Sequence, residues 1–396
     1  MPLDVQRARR ETPGCTNVMH FNNAGAALMP QPVLDATIGH LQLEAQIGGY
    51  EAVERQLNTL EHAYDGAAAL INCSRDEIAF VENATRAWDM AFYSIPFHSG
   101  DRILTAMSEY ASNYIAYLQI AEKTGAIVEA IPDDEHGQLS IEALSNAIDK
   151  RVKLISVTHV PTSGGLVNPV AAIGKIARAA GILYLVDACQ SIGQMPIDVE
   201  ETGCDMLSAT GRKYLRGPRG TGFLYVRREV LERLEPPFLD LHAATWVARD
   251  RYEMLPDARR FENWETNYAG KIGLATAIDY AMQWGLDNIW HRIKTLSSQL
   301  RTQLSALPGV TVQDCGITQC GIVTFTIEGL DPEEVKQQLT AQHTNVSVAI
   351  RSSTYLDMEA RGLTSMVRAS VHYYNTEEEV SQFTGYIEKV LTRVAQ

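Results

Sequence analysis

Between Asp35 and about Ala209, short apolar runs alternate with longer stretches of helical periodicity. The runs Glu77–Val81, Arg102–Thr105, Ile127–Ile131, Leu154–Thr158 and Leu183–Val186 are too short for helices and rich in branched aliphatic residues, so each reads as a strand. Strands separated by helices predict an α/β fold, with a mainly parallel sheet, helices on both faces and ligands gathered beyond the strands' carboxyl ends. Gly181–Val186 is apolar on both alternating faces, as a strand covered on both sides must be, and it ends in an acid, Asp187.

The pattern changes after Asn267-Tyr-Ala-Gly270. A helical periodicity continues to about Leu307, where Pro308-Gly309 ends it before a strand at Val310–Gln313. Strands at Gly321–Ile327, Val346–Ile350 and Met366–Val371, a helix from Pro332 to Gln342 and a last helix from Thr376 predict a smaller α+β domain.

Composition narrows the class. The chain has 396 residues, 45% hydrophobic and 21% charged, enough for two domains with substantial cores. Lys and Arg number 34 against 48 Asp and Glu, a net charge of −14 with no basic block, which argues against nucleic acid or an anionic membrane as partner. No apolar run approaches the roughly 20 residues that span a bilayer, and Met1–Arg10 lacks the apolar core of a signal peptide, so a cytoplasmic location is expected. The six cysteines lack the paired spacing of a metal site; no metal is expected and the thiols should be reduced. Cys189, between Asp187 and Gln190, is either a small buried filler or a neighbour of the site.

The chemistry concentrates in Ser208-Ala-Thr-Gly-Arg-Lys-Tyr-Leu-Arg-Gly-Pro-Arg-Gly-Thr-Gly, followed by the strand Gly222–Val226. Lys213 sits in a tight turn beside Arg212, a setting suited to losing a proton and forming a Schiff base. Pyridoxal 5′-phosphate needs such an amine, together with a carboxylate that keeps its ring nitrogen protonated, and Asp187 can supply the second. Asn83-Ala-Thr-Arg-Ala-Trp88 opens a helix after a strand. The N–H groups of Ala84, Thr85 and Arg86 and the Thr85 hydroxyl suit a phosphate at a positive helix terminus, although Asn83 or Thr85 could equally be a plain N-cap.

Asp-Ala-x-Gln, then Thr-Gly-x-Lys and Gly-Pro-x-Gly-x-Gly, resemble in order and spacing the class V, aminotransferase-like family of pyridoxal-phosphate enzymes, from about Phe21 to the C-terminus. The family includes cysteine desulfurases, isopenicillin N epimerase and hercynylcysteine sulfoxide lyase. The resemblance implies the type I fold of pyridoxal-phosphate transferases, with a large domain at 30–268 and a small one made of 1–29 and 269–396. It implies that Thr210 and Arg212 touch phosphate, with Arg212 standing where desulfurases usually have His. Tyr110, in Glu109-Tyr-Ala-Ser-Asn113, takes the place of the histidine that stacks on the ring, and Thr162 takes that of an asparagine that reaches the phenolic oxygen. Gln190 falls in the cofactor set. His159 reads as a satisfied histidine at a strand end. A homodimer is implied, in which the segment holding Thr266 crosses to the partner's phosphate.

The substrate implied is a small amino acid. Met366-Val-Arg368-Ala-Ser-Val-His-Tyr-Tyr-Asn375-Thr resembles the family motif whose arginine binds the α-carboxylate; Arg351, Asn23 and Tyr50 complete the expected substrate contacts. Desulfurases carry a mobile Arg-x-Gly-x-x-Cys loop, and counting from Arg351 puts Leu356 at the position of its sulfur-accepting cysteine. With no thiol at that position, the resemblance implies a carbon–sulfur lyase that eliminates a sulfur-bearing product from a cysteine-derived substrate, with pyruvate and ammonia. An epimerase and then an aminotransferase are the alternatives, and a persulfide-relay desulfurase is disfavoured.

Overall fold

The computed structural model describes residues 3–394. Its main sheet has seven strands in the order Ile78–Val81, Gly222–Val226, Met206–Thr210, Leu183–Asp187, Val152–Thr158, Arg102–Ala106, Ile127–Ile131. The last five pair in parallel, whereas Gly222–Val226 runs antiparallel to both neighbours. Leu183 to Val186 are buried throughout, as helices on both faces require. Met206–Thr210 was not among the predicted strands: Ser208 and Thr210 interrupt its apolar run, yet both are buried.

A four-stranded antiparallel sheet carries the C-terminal part, in the order Val310–Val312, Ile322–Ile327, Ser365–Ser370, Ser347–Ile350. The N-terminal strand Met19–His20 pairs with Thr344–Asn345, so the first residues join this C-terminal layer. The single helix expected after Gly270 is two, Tyr268–Trp284 and Leu286–Ser305, because Gly285 between them takes a left-handed φ of 78°, which ends one helix and redirects the chain. The exposed hairpin Ala244–Ala248 and Arg251–Met254, bearing Trp246, had no burial periodicity to announce it.

Candidate active site

The loops after four strands of the main sheet and the helix after Ile78–Val81 enclose a cavity of about 400 Å³. Lys213 and Asp187 both line it. Asp187 is the last residue of its strand; its Oδ1 accepts from the Cys189 N–H at 2.8 Å and its Oδ2 from Asn113 Nδ2 at 3.1 Å. Burial pushes this carboxyl above the ordinary aspartate range, while the Cys189 amide, Asn113 and the Lys213 charge pull it back. Lys213 is half-buried in the cavity wall, and burial lowers its pKa, with Arg212 adding to the effect and Cys189 and Asp187 opposing it. Burial thus favours the neutral amine, while the hydrogen bonds from the Cys189 amide and Asn113 offset part of its effect on the carboxyl.

At one end the helix Ala84–Phe92 begins, capped by Asn83, whose Oδ1 accepts from the Arg86 N–H at 2.9 Å. Asn83, Ala84 and Thr85 line the cavity. Gly222 lies against this helix start: a Cβ there would fall 2.9 Å from the Asn83 carbonyl carbon, so only glycine allows the close approach. Arg86 points elsewhere. Its amide is taken by the cap and its guanidinium lies 4.5 Å from the Phe238 ring centre, so the expected Arg86 contact is not made here.

Tyr110, Thr162, Gln190, Thr210 and Arg212 also line the cavity. Gln190 donates to Ala24 O at 3.1 Å, and its buried Oε1 has no partner among the described residues. Arg212 donates to Gly25 O, which ties the N-terminal segment to the lysine turn. Thr162 accepts from Arg368 NH1 at 2.7 Å through its hydroxyl and at 2.9 Å through its carbonyl. Arg368 thereby reaches the cavity edge from the smaller sheet, with its Nε buried and unpartnered among the described residues.

The other expected contacts lie apart. Asn23 is fully buried, and its amide is spent inside the protein: Nδ2 donates to Ser370 O at 2.7 Å and Oδ1 accepts from Tyr374. It is a brace, not a substrate contact. Tyr50, 75% exposed, lines a separate cleft of about 370 Å³ together with Thr266; neither enters the Lys213 cavity of its own chain. Arg351 donates to Leu363 O at 2.8 Å and does not line the cavity.

Sequence reasoning overlooked four participants. Thr158 and Val160 line the wall, and their strand-end position was the available signal. Glu109, just before the helix Ala111–Thr124, and Asn113 within it enter the sequence reading only as flanks of Tyr110. Glu109 accepts from Asn113 Nδ2 at 2.9 Å and from Thr105 at 3.0 Å, so this pair holds Asp187 from behind.

An amine, a carboxylate, an aromatic wall and a helix N-terminus converging on one cavity, with an unpartnered amide oxygen beside them, fit pyridoxal 5′-phosphate. Comparison with known proteins agrees. The family model "Aminotransferase class-V" matches residues 19–383. The chain is 32% identical over 396 residues to a probable cysteine desulfurase of Methanothermobacter thermautotrophicus, covering 98% of each protein. A cysteine desulfurase from Thermococcus onnurineus NA1 superposes with a TM-score of 0.92 at 29% identity, covering 99% of each chain. The cystine C–S lyase C-DES shares the fold, with a TM-score of 0.85 at 23% identity and 95% of this chain and 99% of that one covered. The desulfurase relatives overturn the expectation that set desulfurases aside in favour of an eliminating lyase; that expectation had leaned on one loop position, Leu356, against similarity along the whole chain.

Proposed function

We propose that this chain, which belongs to the class-V aminotransferase family of pyridoxal-phosphate enzymes, breaks the carbon–sulfur bond of L-cysteine as a cysteine desulfurase. The supporting observation is full-length similarity to a probable cysteine desulfurase in a chain whose cavity brings Lys213 and Asp187 together with Arg368 at its edge. Its cofactor is pyridoxal 5′-phosphate. When bound, that cofactor supplies an aldehyde to take up the substrate amine and a ring to hold the electron pair left on the α-carbon.

The chain's residues do the rest. Lys213 carries the cofactor and, once released, moves the proton at the α-carbon, a task suited to an amine whose pKa burial has lowered. Asp187, kept in place by Asn113 and the Cys189 N–H, would balance a protonated ring nitrogen with its negative charge. Ala84 and Thr85, with Thr210 and Arg212, would hold the phosphate, Tyr110 would serve the ring, Thr162 could donate its hydroxyl to the phenolic oxygen, and Gln190 would complete the cofactor's wall. Arg368 clamps the carboxylate with a planar fork, which fixes the α-carbon over the site.

Sulfur then needs an acceptor. A thiol sulfur attacks the substrate sulfur; the S–S bond forms, the Cβ–S bond breaks with its pair passing to carbon, and protonation gives alanine. L-Cysteine and a thiol thus become L-alanine and a persulfide. Leu356 cannot be that thiol, and burial raises the pKa of Cys189, keeping it protonated. The acceptor is a thiol from solution.

In this reading residues 30–268 form the cofactor domain and 1–29 with 269–396 the smaller one. Two chains pair in the cytoplasm, the cleft holding Tyr50 and Thr266 facing the partner. Among the described residues no helix is long and apolar enough to cross a membrane. The test is product analysis with L-cysteine and dithiothreitol: L-alanine and sulfide in equal amounts support the reading, whereas pyruvate and ammonia without alanine refute it. Light scattering of the purified protein reads the pairing.

A further inference from the structure

Three residues beyond Lys213, Arg216 takes a left-handed φ of 63°, which a non-glycine residue adopts only at a cost in backbone energy. Its side chain is 1% exposed. Its Nε donates to Leu28 O at 2.8 Å, NH1 to Tyr373 OH at 2.6 Å, and NH2 to the Thr12 hydroxyl. The guanidinium lies 4.5 Å from the ring centre of Tyr374 and 5.2 Å from that of Tyr373. None of its hydrogen bonds among the described residues goes to a carboxylate; hydroxyls, a carbonyl and aromatic faces compensate the buried charge.

Its four partners come from two parts of the molecule. Thr12 and Leu28 lie in the N-terminal segment, while Tyr373 and Tyr374 follow the strand Ser365–Ser370, which carries Arg368. Arg216 itself is in the lysine turn, its N–H bonded to Lys213 O at 3.0 Å. A strained backbone and a buried cation spent on joining these pieces need a return. The return is geometric: one rigid fork fixes the strand of the carboxylate clamp relative to the amine.

We propose that Arg216 is a positioning residue for substrate binding, one that sets the reach from Lys213 to Arg368 without touching substrate or cofactor. The inference rests on Arg368 being the carboxylate clamp. It follows that loosening Arg216 weakens amino-acid binding and leaves cofactor binding alone.

The test titrates the cofactor-loaded enzyme with L-alanine, which has the amine and carboxylate but no sulfur, following the absorbance of the bound cofactor. Arg216→Lys keeps the charge and loses the fork; Tyr373→Phe leaves Arg216 in place and removes one acceptor. We expect L-alanine to bind about tenfold more weakly in Arg216→Lys, a loss on the order of one hydrogen bond to a charged group, and roughly threefold more weakly in Tyr373→Phe, where the loss reaches the substrate only through Arg216. Cofactor affinity should stay within about twofold of wild type, and in turnover KM should rise with little change in kcat. Unchanged L-alanine binding in a folded Tyr373→Phe, or a cofactor affinity that falls in step with that for L-alanine, overturns the proposal. Arg368→Lys is the control: if it binds L-alanine like wild type, the clamp reading fails and this inference with it. If it alone weakens binding, only the role of Arg216 fails.

Discussion

Asn113 Nδ2 lies 3.1 Å from Asp187 Oδ2 and 2.9 Å from Glu109 Oε1, so one amide joins the carboxylate of the cavity to a second, wholly buried carboxyl behind it. Burial raises the Glu109 pKa, and the Asp187 charge adds to that rise while Thr158 and Asn113 lower it. The amide is therefore a spacer that gives each acid a donor and keeps them from sharing a proton. Asn113→Ala should retain cofactor and lower kcat about tenfold, the weight of one hydrogen bond to a charged group. Asp187→Asn should cost more, because a neutral amide cannot balance a protonated ring nitrogen. Steady-state kinetics on cofactor-loaded variants checks the ranking; a kcat for Asn113→Ala equal to wild type removes Asn113 from the argument.

Lys213→Ala should abolish turnover and, after borohydride treatment, leave no cofactor on the chain. Peptide mapping of the reduced wild type should find the label on Lys213 alone. Label on Lys271, a half-buried lysine whose Nζ donates to Tyr64 OH at 2.7 Å, would reassign the site.

Arg368→Lys keeps a cation at the cavity edge but cannot make a fork. KM for L-cysteine should rise about tenfold or more and kcat should fall less, since what is lost is binding and aim, not the proton-transfer group. An unchanged kcat/KM would move the carboxylate to another cation, and Arg212, already lining the cavity, is then the next to test.

A pH effect follows from Asp133, whose carboxyl is pushed up to about 6 by burial, with Asp357 and Asp134 adding to the rise and Arg361 opposing it. Its folded pKa exceeds the unfolded value, so its contribution to stability is present in full below about pH 4 and is lost as pH rises through about 6. Tm should fall between pH 5 and 7 by more in wild type than in Asp133→Asn, which cannot ionise. Parallel Tm curves for the two proteins would show that Asp133 is not strained.

Much of this could be read from sequence for a physical reason. Strands such as Leu183–Val186 are buried on both faces, so their apolar runs are unbroken, and the motifs around Asp187 and Lys213 fall at strand ends, where loops converge. Other features depended on packing. Arg86 follows the cavity residue Thr85 and Asn23 lies in the N-terminal segment, but one side chain turns outward to Phe238 and the other inward to Ser370, and no local pattern sets that direction. Tyr50 and Thr266 come together only through the fold. Glu109 and Asn113 are visible as a polar pair four residues apart, yet their function depends on Asp187, which a strand elsewhere in the sheet supplies.

The last prediction concerns the sulfur acceptor. Leu356 lies in the helix Tyr355–Ala360, just after Thr354, whose hydroxyl meets that of Ser163 at 3.1 Å, one residue from the Thr162 that holds Arg368. The segment is thus moored beside the site and has a leucine where desulfurases have their thiol. If wild type hands sulfur to a thiol in solution, its rate should depend on dithiothreitol and its chain should carry no persulfide after reaction with L-cysteine. Leu356→Cys should then turn over once without added thiol and hold the sulfur on the new side chain, visible by mass spectrometry as one added sulfur on that peptide. A persulfide on Cys189 in wild type would place the acceptor inside the cavity instead.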